Sequence, residues 1–178
     1  MATVRNARPS DADRLGSIHV TSWRWAYKGL LPAGFLEGLS IEDRADWWGL
    51  RIEGLRERQE VLVVEAGDRV EGFAFIGPVA GGEPDQGEVY AIYMDPEAAG
   101  RGLGRELIAS AEDHLVKLGF SRGELWVLDG NSRARRFYEA AGWSVAGAEL
   151  RIERIGGVDA NEVCYRKDLT RVPGPTRT

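Results

Sequence analysis

The chain has 178 residues, a length that suits one domain able to bury roughly 70% of the surface its unfolded form exposes. Hydrophobic residues make up 43% and charged residues 29%, which excludes a disordered or fibrous class. A formal net charge of -5 argues against nucleic acid as a bulk partner, because phosphate neutralisation needs a basic face; locally basic clusters remain at 101–105 and 133–136.

Cys164 is the only cysteine, so an intrachain disulfide framework is impossible. Residues 1–14 are polar and lack the apolar core of a signal peptide, and no apolar run approaches the ~18 residues of a membrane helix. The expectation is a cytoplasmic protein with no membrane attachment.

In chain order, Thr3 to Arg8 reads as a first strand ended by Pro9. Ser10 with Asp13 has the form of a capping box and opens a helix to about Ala26. Pro32 to Leu39 suggests a short helix, and Ser40 with Asp43 caps another that runs to about Glu57. Val61–Glu65 and Val70–Gly77 are strands meeting at the turn pair Gly67-Asp68. A loop with Gly81, Gly82 and Pro84 leads to a strand from Glu88 to Asp95. A helix from about Gly102 to Leu118 stops at Gly119; a strand from Glu124 to Leu128 and a helix from Asn131 to Ala141, closed by Gly142, follow. Trp143–Ile155 and Glu162–Leu169 pair around Gly156-Gly157. One domain therefore covers 1–170, and 171–178 form a frayed tail. Antiparallel strands leading into one β-α-β crossover predict an α/β (α+β) fold with a mixed sheet covered by helices.

Chemistry concentrates in two segments. In Asp95-Pro96-Glu97-Ala98-Ala99-Gly100-Arg101-Gly102-Leu103-Gly104-Arg105 a strand ends, glycines allow a tight turn and a helix begins. The free N–H groups and positive dipole end of such a helix suit a phosphate, and Arg101 and Arg105 add positive charge. Alone, this fits a solvated glycine turn as well. A dinucleotide loop would need G-x-G-x-x-G, whereas this chain has G-x-G-x-G, and further β-α-β units in place of the antiparallel ending. The second segment runs Leu125-Trp126-Val127-Leu128-Asp129-Gly130-Asn131, then Ala134, Phe137-Tyr138 and Gly142-Trp143.

Together the segments resemble the GNAT N-acetyltransferase superfamily, with its Q/R-x-x-G-x-G/A at a helix start and a following N-x-x-A-x-x-F-Y-x-x-x-G-F. The match is close from Glu88 to Trp143 and holds in element order over about 3–169. One departure is Ala99, where the family usually has Arg or Gln; Arg101 is the expected compensation. The resemblance implies a single domain with a mostly antiparallel sheet, one parallel splayed strand pair and helices on both faces. It also implies acetyl-CoA as cosubstrate, no metal, and direct transfer to an amine on a small molecule, peptide or protein, by a monomer or homodimer. Ile92, Tyr93 and Met94 would offer backbone groups to the pantetheine arm, and Arg101, Gly102, Leu103, Gly104 and Arg105 would hold the pyrophosphate. Asn131 would hydrogen-bond the pantetheine, and Tyr138 would sit near the sulfur. A thiol pKa near ~8.5 and a phenol pKa near ~10 make Tyr138 a reasonable proton donor to the departing thiolate.

A protonated amine needs a base, and Glu88, eleven positions before Ala99, matches the catalytic glutamate of some histone-acetylating members of that superfamily. Strand alternation places Glu88, Tyr90 and Ile92 on one face. Four of the six tryptophans (Trp23, Trp25, Trp47, Trp48) lie in the N-terminal helical region, alongside Tyr27. Trp23, Tyr27 and Tyr90 are the candidate acceptor-binding residues, and helix packing on the sheet is the alternative role for the tryptophan cluster. A non-catalytic acyl-CoA-binding or sensing domain is the main alternative; it would keep the glycine cradle without needing Glu88 or Tyr138. A nucleotide-dependent oxidoreductase is more distant.

Overall fold

The computed structural model describes residues 2–169 of the chain, and the frayed tail expected from 171 lies outside the described residues. Strand β1 (Ala2–Asn6) and a 3-10 turn (Pro9–Asp11) lead into helices α1 (Ala12–Ala26), α2 (Ala33–Glu37) and α3 (Ile41–Glu53). The hairpin β2 (Glu60–Ala66) and β3 (Arg69–Pro78) is followed by β4 (Gln86–Met94), a 3-10 turn (Pro96–Ala98) and α4 (Leu103–Lys117). Next come β5 (Arg122–Leu128), α5 (Ser132–Ala140) and a final hairpin of β6 (Ser144–Ile155) and β7 (Val158–Asp168).

Side-chain chemistry explains several element ends. The Ser40 hydroxyl caps α3 by accepting from the Asp43 N–H at 3.1 Å, as the sequence suggests, and the helix ends at Glu53, before Gly54 and short of the expected Glu57. The Ser10–Asp13 box does not form. Asp11 takes the role instead, accepting from the Arg8 N–H at 2.7 Å and from the Arg5 guanidinium. Its side chain thereby ties the start of α1 to β1.

The strands form one seven-stranded sheet in the order β1-β2-β3-β4-β5-β7-β6, antiparallel everywhere except between β4 and β5. Period-2 alternation sends Val61, Val63, Phe73 and Phe75 to one face, where Leu15 and Ile18 of α1 and Trp48 and Ile52 of α3 cover them. Leu62, Val64, Ala74 and Ile76 point the other way, onto Leu107, Ile108, Ala111 and Leu115 of α4. Helices therefore lie on both faces. Trp48, edge-on to Phe73 at 4.7 Å, is core; full burial of a side chain of this size stabilises by at least about 3 kcal/mol.

The parallel pairing is short. β4 and β5 align only at Gln86–Arg122, Gly87–Gly123 and Glu88–Glu124, and beyond Glu88 they diverge. From Val89 to Met94, β4 stays paired to β3 on one side while, among the described residues, no strand pairs with its other side. That opening is what positions the site.

Candidate active site

The divergence opens a cavity of about 660 Å³ running from the β4–α4 loop, between β4 and β5, to the β6–β7 hairpin. Its walls are β4 on one side, and β5 with α5 on the other. The β5–α5 loop meets the α1–α2 loop so closely that a Cβ on Gly130 would stand 2.7 Å from Leu30 Cδ2. Beside this contact the Arg133 guanidinium lies 4.1 Å from the centroid of the Trp25 ring, bridging α5 to α1 at the cavity wall.

One end of the cavity is an anion cradle. Asp95 caps the Pro96–Ala98 turn by accepting from the Glu97 N–H at 3.0 Å. Gly102 then takes φ +82° as the residue before α4, a backbone region that any side chain would strain, and an added Cβ there meets no protein atom within 4 Å. The N–H groups of Arg105 and Glu106 bond back to the Gly102 carbonyl, so the α4 N–H groups ahead of them are the orphan donors of the helix start. Gly100, Gly102, Leu103, Gly104 and Arg105 all line the cavity, as does Ala99.

Arg101 departs from expectation. Its guanidinium donates to Glu71 at 3.1 Å and does not line the cavity. Glu71 and Asp95 are buried acids that also receive Arg14 and Arg69, so four residues already share charge behind the loop, and Arg101 joins them. Buried carboxylates without such partners would be strongly unfavourable, which accounts for the inward turn. In this arrangement the Arg101 side chain is paired to Glu71, and Arg105 is the guanidinium that lines this end of the cavity.

Ile92, Tyr93 and Met94 line the middle of the cavity, where the backbone of β4 has N–H and C=O groups free of strand pairing on the β5 side. An extended amide-bearing chain can add there as a strand would. Asn131 is the N-cap of α5: its Oδ1 accepts from the Ala134 N–H at 3.1 Å, which leaves the side-chain amide to donate. Asn131, Ala134 and Tyr138 share the cavity-facing side of α5, as their spacing requires. Tyr138 is 9% exposed, and its hydroxyl makes no hydrogen bond within the protein among the described residues. Burial, with Tyr93 nearby, pushes its phenol well above the usual value.

Glu88 stands at the fork where the strands part. Burial pushes its carboxyl up from 4.5 to about 7, with Arg151 opposing and Glu124 and Glu162 reinforcing. Its register neighbour Glu124 is held by the Trp126 indole N–H at 3.1 Å and by the Arg166 Nε at 2.9 Å. Two carboxylates thus sit side by side in different surroundings: one is hydrogen-bonded on both oxygens, the other stands on the cavity.

The alternation expected for β4 is broken. A bulge shifts the β3–β4 register between Phe75 and Ile76, so Phe75 faces Ala91 while Ile76 faces Val89. Tyr90 is the extra residue. Consequently Tyr90 and Tyr93 pack on the α1 and α3 side, whereas Val89, Ile92 and Met94 pack on the α4 side. Glu88 and Ile92 therefore do not share a face, although all of Glu88, Tyr90 and Ile92 reach the cavity. The Tyr90 hydroxyl donates to the Pro78 carbonyl, and its ring lies 4.7 Å from Phe75.

Trp23 and Tyr27 line the cavity, edge to face at 5.0 Å, and burial raises the Tyr27 phenol as well. Trp25 also reaches it, while Trp47 faces outward beneath Arg51. His19 is buried; its Nδ1 accepts from the Trp48 indole at 3.1 Å, and desolvation lowers its pKa to about 3. Sequence reasoning missed Trp126, Arg151, Glu153 and Glu162, which close the far end. The available signal was charge at alternate positions of the last two strands, and pairing of Arg151 with Glu162 makes it legible.

The GNAT acetyltransferase family model matches residues 19–143. The uncharacterised N-acetyltransferase YuaI of Bacillus subtilis is 32% identical over 169 residues, which cover 89% of this chain and 94% of that one. Among solved structures, PaiA N-acetyltransferase of Thermoplasma acidophilum in complex with coenzyme A superposes with a TM-score of 0.69 at 21% identity, covering 94% of this chain and 99% of its own. YncA of Salmonella typhimurium with acetyl-CoA gives 0.69 at 20%, covering 99% of each chain; both share the fold. A sheet parted at one parallel pair, in a chain so matched, is that of an acetyltransferase. The chain belongs to the acetyltransferase (GNAT) family. No described helix is long and apolar enough to cross a membrane.

Proposed function

We propose that the protein transfers an acetyl group from acetyl-CoA to an amine, by direct attack with both substrates in the cavity. The observation that carries this is the pairing of two unlike groups on one cavity: Glu88, whose carboxyl ionises near neutral pH, and Tyr138, a buried phenol whose hydroxyl has no hydrogen-bond partner among the described residues. The orphan N–H groups at Gly102–Gly104 and the Arg105 guanidinium suit the pyrophosphate of CoA, and the unpaired edge of β4 suits its pantetheine amides.

Glu88 takes a proton from the acceptor ammonium, directly or through a water. The amine nitrogen then bonds to the thioester carbon as the carbon–sulfur bond breaks. Backbone N–H groups on the free edge of β4 stabilise the charge that develops on the carbonyl oxygen. Tyr138 gives its proton to the departing sulfur, the remaining extra proton on the acylated nitrogen returns to the phenolate through water, and Glu88 releases the first proton to solvent. The desolvation that raises the phenol raises a thiol in the same cavity, so the two stay matched. The test is thiol release from acetyl-CoA across a panel of amines. Single-turnover comparison of wild type with Glu88→Gln and Tyr138→Phe follows. Thiol release with no amine dependence would reject the reading.

A further inference from the structure

Beyond Glu88 the cavity ends against the β6–β7 hairpin, where Trp126, Arg151, Glu153 and Glu162 line it opposite Tyr27. Arg151 is the only cation at this end among the described lining residues. Its Nε donates to Glu162 at 2.7 Å, and its Nη2 stands 2.6 Å from the same carboxylate. Glu153 lies 3.6 Å from its Nε, and the guanidinium stacks over Trp126 at 4.7 Å from the ring centroid. The Nε–Nη2 edge of the guanidinium, which could grip a carboxylate on an acceptor, is therefore already committed to Glu162.

The charge count then decides the acceptor class. Glu88, Glu153 and Glu162 face one guanidinium. When an ammonium hands its proton to Glu88, both become neutral, and Glu153 and Glu162 still oppose Arg151 alone. One negative charge is left over at this half-open rim, where the Tyr27 ring lines the cavity and suits a cation. We infer that the acceptor is an aliphatic amine carrying a second cationic group, whose distal ammonium occupies this end against Glu153 and Glu162 while its reacting nitrogen sits at Glu88. This rests on the acetyl-transfer reading above. An α-amino acid or other acceptor with a nearby carboxylate is disfavoured by the same charges.

The test is a series with one four-methylene spacer that differs only in the far group: 1,4-diaminobutane, pentylamine and 5-aminopentanoate, with the homologues two methylenes longer to cover a longer span. The expected kcat/KM order is diamine, then monoamine, then amino acid. The diamine should lead the monoamine by on the order of tenfold, beyond the roughly twofold due to its two equivalent ends. Glu162→Gln removes one carboxylate and releases Arg151, so the diamine's lead should shrink about tenfold and the amino acid should gain on the monoamine. Equal rates for diamine and monoamine in both series, or a preference for the amino acid, would overturn the assignment while leaving acetyl transfer intact. Should Glu162→Gln fail to fold, the wild-type series still decides. Calorimetry of each amine against the CoA-saturated protein gives a readout independent of turnover. Diamine-selective binding without any thiol release would overturn the transfer reading and support the cationic site.

Discussion

Replacing Glu88 by Gln keeps the shape of the side chain and removes its ability to take a proton. The carboxyl titrates at about 7 in the folded protein against an ordinary 4.5. The acceptor arrives as an ammonium, which titrates near ~10, and only ionised Glu88 can take its proton. Wild-type log kcat/KM should therefore rise about one decade per pH unit up to about pH 7 and then level off until the amine itself titrates. Glu88→Gln has no base and must wait for the free amine, so its slope of roughly one should continue past pH 7, with kcat/KM lowered on the order of 10² to 10⁴-fold at pH 8. Stability should move the opposite way. Because the folded-state pKa is raised, the unfolded chain releases its proton from pH 4.5 upward while the folded protein holds it until about 7, so stability falls across that window and stays lower above it. The loss is at most about 3 kcal/mol and smaller for a group that water still reaches. Glu88→Gln should thus melt higher than wild type at pH 8 and match it below about pH 4.5. Steady-state kinetics on a chemistry-limited amine and calorimetric melting at the two pH values provide the check. A variant with wild-type rates and an unchanged acid limb would refute the assignment of Glu88 as base, and an unchanged melting difference between the two pH values would refute the raised pKa.

Other perturbations separate binding from chemistry. Tyr138→Phe keeps the buried ring and loses a hydroxyl without a hydrogen-bond partner among the described residues, so stability and acetyl-CoA affinity should stay within a few-fold while single-turnover rate falls; loss of both together would make Tyr138 a packing residue. Gly102→Val forces a β-branched residue to φ +82° and raises a side chain at the anion cradle. It should cost about 1–3 kcal/mol and weaken acetyl-CoA binding more than tenfold by calorimetry; unchanged affinity in the folded variant would move the phosphate site elsewhere. Arg14→Ala strips a partner from both Glu71 and Asp95, buried beneath the loop, and should destabilise by about 3 kcal/mol in urea melts. A loss under about 0.5 kcal/mol would mean Arg69 and Arg101 suffice.

Much of this protein was legible in its sequence because the informative features are local. The strand–glycine–helix order around Gly102 depends on backbone freedom within a few residues, and the spacing of Asn131, Ala134 and Tyr138 on the helical period; both stand on the cavity as read. The Ser40 cap likewise needs only its own turn. Tertiary structure decided whatever depends on how separate segments meet. The bulge at Tyr90 is a property of the β3–β4 register, invisible to a reading that assumes unbroken alternation, and it reverses which face Ile92 shares. Arg101 looked like a phosphate ligand from its place in the loop, but two buried acids 30 and 6 positions away in the chain claim that region's charge, and desolvation outweighs proximity in sequence. The raised Glu88 pKa exists only because the β4–β5 pairing stops at that residue and leaves its carboxyl in a half-closed cavity. Arg151 and Glu162 are eleven positions apart on two strands, and only the hairpin register brings them together over Trp126 to give the far end its charge.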